Sequence, residues 1–434
     1  MIFTRGLLHV YFALCMILFL GKAEWTTFGK APHSLFELPE PALGYIAFVC
    51  PLALFLLSKT QFPEFLRYLK RSAPIIACLT AMAAFYVLWG LHPLANVQGF
   101  GKYIFSSVLN LVVFLSGIGL MSLRFFRSRY RTYVSIALAA LIVSIFLDME
   151  YPGFFSKQDY RAAGFAVDAN SAALHLSLLC SFIFRFDRIR VSDVCFLALA
   201  GICQFMTLSR GGQTVFVLFA LCYVLLVSKN MLRSGKVASL VAALCFLALA
   251  VSVVGMAVFH IKSASDLYKN PASQARFDQL LGNKTMVTRD DNRMVAFRSG
   301  MEVFWESPIV GRGTGYNRIT ETHVEYLRHA VEGGILGLSL FLVSLLACGW
   351  FFCKSKNVNG VVYILVFSIS CFFLHTWADD RGFLMTLGML CGLSAREYMR
   401  VPSRGSGFRM RLAANPWTDS RGSLNTSSSP VARA

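Results

Sequence analysis

Twelve apolar stretches recur along the chain, and their lengths approach or match the thickness of a lipid bilayer. A membrane-spanning helix needs about 20 predominantly apolar residues. Backbone polar groups in lipid must be satisfied within the chain, so stretches of this kind form helices. The sequence therefore predicts an all-α polytopic membrane helix bundle. The predicted spans are 6–21, 42–58, 72–91, 103–123, 132–147, 169–184, 193–208, 211–228, 237–259, 330–353, 358–377 and 382–395.

The composition agrees with this prediction, since 56% of residues are hydrophobic and only 15% are charged. Soluble domains average about 45–50% apolar and about 25% charged residues. The first stretch also has one feature of a signal peptide, because basic Arg5 precedes its apolar core. The following Lys22-Ala23-Glu24-Trp25 is a poor cleavage site, so a membrane span is favoured.

The formal net charge of +18 would indicate nucleic-acid binding in a soluble protein. With twelve spans and the N-terminus inside, the inner segments carry +19 and the outer ones −1. Every short inner loop is basic, as the positive-inside rule requires. The charge therefore predicts a multi-pass protein with both termini cytoplasmic, and no nucleic-acid partner is expected.

The spans divide the chain into a transmembrane domain, residues 1–401, and a tail, residues 402–434. The tail is rich in Ser, Arg, Pro, Gly and Asn and is predicted to be disordered. A long outer loop, residues 260–329, separates spans nine and ten. Loops of this length in compact proteins are usually functional. A shorter outer loop occupies residues 148–168.

The long loop contains signals for ordered structure. Asp290-Asp291-Asn292 marks a helix start, apolar residues then recur at helical spacing from Arg293 to Glu306, and Pro308 ends the pattern. The following Gly311-x-Gly313-x-Gly315 resembles a phosphate-binding loop in spelling alone. It lacks the strand-turn-helix context of such loops, so we interpret it as a turn.

The twelve cysteines all lie in or at the edge of a predicted span, and there is no CxxC and no Cys/His cluster. We therefore expect neither a disulfide framework nor a metal site.

Arg210 lies in Ser209-Arg210-Gly211-Gly212, between spans seven and eight at the outer boundary. A helix-end arginine often only anchors its helix at the membrane surface. A lone arginine on the outer face, however, opposes the positive-inside bias. The two glycines leave space and backbone N–H groups for an anion, so Arg210 is a candidate diphosphate ligand.

Three arginines, Arg289, Arg293 and Arg298, cluster on or before the loop helix. They are either solvated surface charges or part of a phosphate clamp, with Arg293 the best placed. His323 precedes the tenth span by about one turn. A lone histidine is more often structural than catalytic, yet an imidazole can accept a proton from a hydroxyl near neutral pH. Glu325 and Glu332 are close enough in sequence to orient it.

The spans, the motifs and their order together resemble the O-antigen ligase/polymerase superfamily. This bacterial family includes O-antigen ligases, O-antigen and exopolysaccharide polymerases, and some protein O-oligosaccharyltransferases. The resemblance covers roughly residues 200–345. Its local matches are Ser209-Arg210-Gly211, Arg293 followed by the segment from Trp305 to Gly313, and His323 followed by the segment from Glu332 to Gly337. The stretch from Arg161 to Asn170 also looks like an outer loop of the family.

The resemblance implies an inverting transfer of glycan from a polyprenyl-diphosphate carrier on the periplasmic side of the bacterial inner membrane. It implies that Arg210 and Arg293 hold the diphosphate and stabilise charge on the leaving group, and that His323 acts as base toward the acceptor hydroxyl. No cofactor or metal is expected, because the donor is already activated. The family commonly has Asn after this histidine, whereas this chain has Val324. Substrate-binding residues are expected at Arg161, Arg289, Arg298, Glu325 and Glu332.

The expected partners are the lipid-linked glycan donor, a glycan or lipid-linked acceptor, membrane lipids and other polysaccharide assembly proteins. We favour polymerisation of a surface polysaccharide. Ligation of the glycan to lipid A–core is the alternative, because the two reactions share donor chemistry. A transporter or flippase is disfavoured, since the predicted spans hold almost no ionisable residues beyond His175, Glu332 and His375. A scaffold without chemistry of its own is a further alternative.

Overall fold

The computed structural model describes residues 2–23, 49–54, 56–91, 100–157, 161–233, 271, 274, 289–316, 322–373 and 380–400. Regular structure within these ranges is helical, which confirms the all-α prediction. The helices are α1 (Ile2–Phe19), α2 (Phe62–Trp89), α3 (Phe100–Ser122), α4 (Arg124–Glu150), α5 (Ala169–Ile183), α6 (Val191–Met206), α7 (Arg210–Arg233), α8 (Arg289–Glu306), α9 (Glu325–Lys354), α10 (Val358–Ser370) and α11 (Arg381–Arg400), with a 3₁₀ helix at Gly164–Ala166.

Most predicted spans coincide with one of these helices, and α8 is the helix predicted inside the long loop. Four helices, α2, α4, α7 and α9, are long and apolar enough to cross a bilayer, and shorter apolar helices accompany them. This set suits a multi-pass membrane protein. Span 237–259, most of span 42–58, His375 and the tail lie outside the described residues. The count of twelve spans and the domain boundaries stay predictions.

Large apolar side chains form exposed stripes on the long helices. On α7, Val217, Leu221 and Leu225 are all exposed and follow one another at the four-residue spacing of one helix face. On α9, Leu342 and Leu346 repeat the pattern. Soluble proteins bury such stripes, whereas a lipid environment accommodates them. The stripes therefore mark lipid-facing surfaces.

Helix α5 lies at the centre of the bundle and contacts α4, α6, α7 and α10. Almost all its side chains are buried, as expected for a helix that is apolar on every side. Asp168 caps its first turn by accepting hydrogen bonds from the backbone N–H groups of Asn170 and Ser171. A Cβ at Gly212 of α7 would lie 2.2 Å from the Cβ of Ala173, so the glycine lets α7 approach α5 closely.

Several helices begin earlier than predicted, α2 and α4 by two or three turns and α8 and α9 by about one turn. Helix α8 begins at Arg289 rather than Arg293, because Asp290 and Asp291 fall in its first turn, where the helix dipole favours negative charge. Helix α9 begins at Glu325 rather than at residue 330. Charged residues in its first turns lower the local hydropathy, although they are buried and paired with one another.

A buried ionic cluster ties α1 to α5 and α11. Lys22, just after α1, donates to Asp380 at 2.8 Å, and His175 of α5 lies 3.0 Å from the same carboxylate oxygen. Burial opposes ionisation of Asp380, but the facing His175 and Lys22 outweigh it and hold the pKa of this carboxyl well below its usual range. The cluster therefore joins the end of α1 to α5 and to the start of α11.

Candidate active site

The glycine-rich turn after α8 is hydrogen bonded to a kink in α9, and we call this pairing of Pro308–Arg312 with Val331–Ile335 the clasp. The kink lies at Gly334, with φ 61° and ψ −156°. In a regular helix the N–H of Ile335 bonds to the carbonyl of Val331; here it donates to the carbonyl of Pro308 at 2.8 Å. The freed Val331 carbonyl accepts from the N–H of Arg312 at 2.9 Å. The sequence-based interpretation of this segment as a turn is confirmed.

Both sides of the clasp require glycine. Gly311 has φ +70°, and a Cβ there would lie 2.5 Å from the carbonyl oxygen of Glu332. A Cβ on Gly334 would lie 2.3 Å from the carbonyl oxygen of Ile309. Side chains at these positions would collide with rigid backbone, so the clasp fixes how the turn meets the membrane helix.

We expect Gly334→Ala to destabilise the protein by roughly 1–3 kcal/mol or more, because it combines a positive φ with a backbone collision. Thermal unfolding of the purified full chain in detergent measures the effect. The matched control is Gly349→Ala in the same helix, where a Cβ meets nothing within 4 Å. That control should keep or slightly raise the unfolding midpoint. Equal midpoints for the two variants would contradict the clasp.

The first two turns of α9 carry a buried ionic cluster, which we call the α9 cluster: Glu325, Arg328, His329 and Glu332. The guanidinium of Arg328 lies 3.3 Å from a carboxylate oxygen of Glu325 and 3.5 Å from one of Glu332. Nε2 of His329 lies 3.4 Å from Glu325. Glu332 also accepts a hydrogen bond from the N–H of Gly315 at 3.1 Å. Predicted residues Glu325 and Glu332 are thus joined by two that the sequence analysis missed.

Arg328 and His329 had a visible signal in the sequence. Residues 325, 328, 329 and 332 follow the i, i+3, i+4, i+7 spacing of one helix face. Their surroundings include another helix, since the hydroxyl of Tyr86 on α2 hydrogen bonds Nδ1 of His329; the ring of Phe341, farther along α9, stacks on the imidazole.

A pocket connects the α9 cluster to the apolar interior between α2 and α3. Arg328, His329 and Thr314 line its polar end. The remaining lining is mainly apolar and includes Leu79, Met82 and Ala83 of α2 and Leu111 and Phe114 of α3. The lining of the pocket therefore combines polar side chains of the α9 cluster and the glycine-rich turn with apolar side chains of α2 and α3.

His323 lies two residues before α9 and has φ +55°, a left-handed conformation that only a few per cent of non-glycine residues adopt. The side chain is half-buried. Strained residues of this kind concentrate at functional sites. Val324, which lies between His323 and the first residue of α9, is the N-cap of α9 and makes no side-chain cap hydrogen bond. An Asn, the family's common residue here, is a favoured N-cap.

The end of α10 is a common support for the His323 and Arg210 segments. The N–H of Glu325 donates to the carbonyl of Cys371 at 2.8 Å. On the other side, a Cβ at Gly211 would lie 2.7 Å from the ring of Phe373. The Arg210 turn and the His323 segment therefore both contact the same short segment, Cys371–Phe373.

Helix α8 packs on the other side of the His323 segment. A Cβ at Gly300 would lie 2.6 Å from Cγ2 of Thr322, so the two backbones approach closely. Apolar residues of α8 cover the buried Leu327–Ala330–Val331 cluster of α9. Arg293 lies two helical turns before Gly300. The side chains of Arg289 and Arg293 lie outside the described part of the structure, whereas Arg298 is exposed.

Arg161 is buried and hydrogen bonds to the segment that leads into the Arg210 turn. Its Nε donates to the carbonyl of Thr207 at 2.8 Å, and its Nη2 donates to Oδ1 of Asn170 at 2.9 Å. The hydroxyl of Ser209 donates to the same Asn170 oxygen at 2.9 Å. The contacts of Arg161 are those of a residue that positions the turn; its predicted role in substrate binding stays a prediction.

The loop that carries Arg161 is organised by one buried carboxylate. Asp148 accepts hydrogen bonds from the N–H groups of Phe155, Ser156, Ala163 and Gly164, at distances from 2.7 to 3.3 Å. The charge is therefore satisfied by the backbone, which holds the loop against α4.

Arg210 is the first residue of α7 and is half-buried. The prediction that Gly211 and Gly212 leave open space beside Arg210 is wrong. The position of Gly211 is closed by Phe373, that of Gly212 by Ala173, and the N–H of Gly212 donates to the hydroxyl of Ser209 at 3.2 Å. The glycines serve close helix packing because α7 enters the bundle at this turn. The Gly212 N–H is thus taken by Ser209, and the Arg210 guanidinium stays the predicted anion contact at this turn.

Residues 195–342 match the family model described as O-antigen ligase. The predicted resemblance to the O-antigen ligase/polymerase superfamily is confirmed over this range. The O-antigen ligase match begins in α6 and ends in α9, and it includes the Arg210 turn, α8, His323 and the whole α9 cluster. Arg161 precedes it. No curated protein matches the chain. The matched family is one of membrane glycan transferases of the ligase/polymerase type.

Proposed function

We propose that the chain is a multi-pass glycan transferase of the bacterial inner membrane, with both termini cytoplasmic. Its donor is an oligosaccharide linked to polyprenyl diphosphate on the periplasmic side, and its product is a polymerised surface polysaccharide, exopolysaccharide or O-antigen. The O-antigen ligase match supports the class of reaction.

One observation carries this proposal. The Arg210 turn and the His323 segment both pack on Cys371–Phe373, and α8, which contains Arg293, packs on Thr322. Residues that lie far apart in sequence thus meet at one end of the bundle. A proton- or ion-coupled transporter normally keeps its ionisable groups near the middle of the membrane, whereas here the candidate residues gather at one end. The convergence favours an enzyme.

In the proposed reaction, the acceptor hydroxyl oxygen attacks the anomeric carbon of the donor. A new carbon–oxygen bond forms to the acceptor while the bond from the anomeric carbon to the diphosphate breaks, so the configuration inverts. His323 takes the hydroxyl proton and passes it to water. Polyprenyl diphosphate leaves with the bonding electron pair, and Arg210 and Arg293 stabilise its growing negative charge.

The pocket between α2 and α3 supports a lipid-linked donor. Its lining brings apolar side chains of α2 and α3 together with Arg328 and His329, which is the chemistry found where an isoprenoid joins a diphosphate. Glu325 and Glu332 keep the Arg328 guanidinium in a fixed position. We assign them a positioning role within substrate binding.

Deletion of the gene, followed by sizing of the cell's glycans, tests the proposal. We expect loss of long chains while single repeat units stay attached to their acceptor, because a polymerase extends units that another enzyme attaches. Accumulation of long, unattached chains would instead indicate the ligase alternative, with lipid A–core as acceptor. An unchanged glycan profile, with normal levels of lipid-linked donor, would refute both.

A further inference from the structure

A second pocket differs from the one between α2 and α3, because charged and polar side chains line it. It is formed by the start of α4 and by the loop, residues 184–190, that joins α5 to α6, and its volume is about 570 Å³. Four arginines line it: Arg129 and Arg131 from α4, and Arg185 and Arg190 from the loop. Asp187 is its one acidic lining residue. We call it the arginine pocket.

The arginines are held close together in spite of their mutual repulsion. Burial, and then the neighbouring cations Arg131 and Arg190, lower the pKa of the Arg185 guanidinium. Arg131 is oriented by a hydrogen bond from its Nε to the hydroxyl of Tyr130 at 3.0 Å, and its guanidinium lies over the same ring. The Tyr130 ring in turn packs on Phe182 of α5. Arg131 is thus oriented before any ligand arrives.

One polar atom in this pocket lacks an acceptor. Nε of Arg185 is buried and has no hydrogen-bond partner among the described residues. A buried guanidinium N–H left in this state costs about 1–3 kcal/mol. Asp193 does not line the pocket; it accepts from the Ser192 hydroxyl and from the Arg185 backbone N–H, and its Oδ2 is also buried without a hydrogen-bond partner among the described residues. An anion in the pocket would supply the missing acceptor.

Topology alone does not explain this arrangement. The positive-inside bias asks for basic residues in the loops, and Arg124 and Arg188 satisfy it as exposed side chains in the same two segments. It does not ask that four arginines converge on one cavity. Paired guanidinium groups match phosphate oxygens in geometry and charge.

We propose that the arginine pocket binds a phosphate group, at a site separate from the proposed transferase site. Under the proposed topology it faces the cytoplasm, where basic pockets between membrane helices bind phospholipid head groups. The phosphate belongs to an anionic phospholipid of the inner leaflet or to a soluble phosphate compound.

Native mass spectrometry of the purified full chain separates these sources. Phosphatidylglycerol, phosphatidylcholine and inorganic diphosphate are each added to the wild type and to Arg131→Gln/Arg185→Gln. We expect the wild type to retain phosphatidylglycerol over phosphatidylcholine, and the pocket variant to lose this retention by on the order of tenfold, since two charge-assisted contacts are removed. Retention of diphosphate instead, lost in the same variant, assigns a soluble ligand.

The matched control is Arg71→Gln/Arg124→Gln, which removes the same charge from exposed positions that do not line the pocket. It should bind as the wild type does. Equal losses in both variants would overturn the proposal, because charge alone would then account for binding, as would a wild type that retains neither phosphate compound. Should the first variant fail to fold, Arg129→Gln/Arg190→Gln removes the other two lining arginines and should lose the same ligand.

Discussion

His323→Asn should reduce formation of polymerised glycan by roughly 10²–10⁴-fold, the usual contribution of a general base. Asn is the informative replacement because His323 has φ +55°. Asn tolerates the left-handed conformation, whereas Ala at this position adds backbone strain to the loss of the imidazole. His323→Asn therefore isolates the chemical role. Glycan sizing in a deletion strain that expresses the variant measures it.

Val324→Asn is the control for this experiment. It changes the adjacent N-cap of α9 to a residue that caps helices well, and it leaves the imidazole in place. Product should persist in this variant, and both variants should accumulate in the membrane like the wild type. Normal product from His323→Asn would remove His323 from the mechanism, and Arg210 and Arg293 would then have to act with another base.

Arg328→Met should lower stability by about 3–5 kcal/mol, because it leaves Glu325 and Glu332 buried without their shared cation. The expected signs are a much lower thermal unfolding midpoint and a lower protein level. The double variant Arg328→Met/Glu332→Gln should recover part of the loss, since it removes one of the two buried negative charges.

Arg312→Met provides the matched comparison. Arg312 forms an ion pair with Glu306 in the same region, but both side chains are partly exposed, at 23% and 58%. Exposed pairs contribute about 0–1 kcal/mol, so the midpoint should barely change. A similar midpoint for Arg328→Met and Arg312→Met would show that the α9 cluster does not stabilise the fold.

Hydrophobic length located most of the helices from sequence, because a bilayer imposes one strong and local requirement on each span. The same criterion misplaced the start of α9. Glu325 and Arg328 have the composition of a loop, and only their pairing within the bundle allows them to lie in a buried helix. Local composition does not report such pairing, so helix ends that carry charged clusters escape it.

The candidate site, like the helices, was predicted from the sequence only in part. Arg210 and His323 were found because their residue types stand out against their surroundings and because their motifs resemble a family. The support of both segments by Cys371–Phe373 was not visible, since nothing in a single sequence pairs Gly211 with Phe373 or Glu325 with Cys371. The filled space at Gly211 shows the related error, in which a small residue was interpreted as a vacancy.

The pairing of Lys22 with Asp380 spans 358 positions of sequence. Long-range contacts of this kind form late, after the intervening chain has been ordered. Helix α1 also packs on α4, a neighbour made much earlier in synthesis than Asp380. The end of α1 therefore gains its buried anionic partner only after the segment that begins α11 has been made.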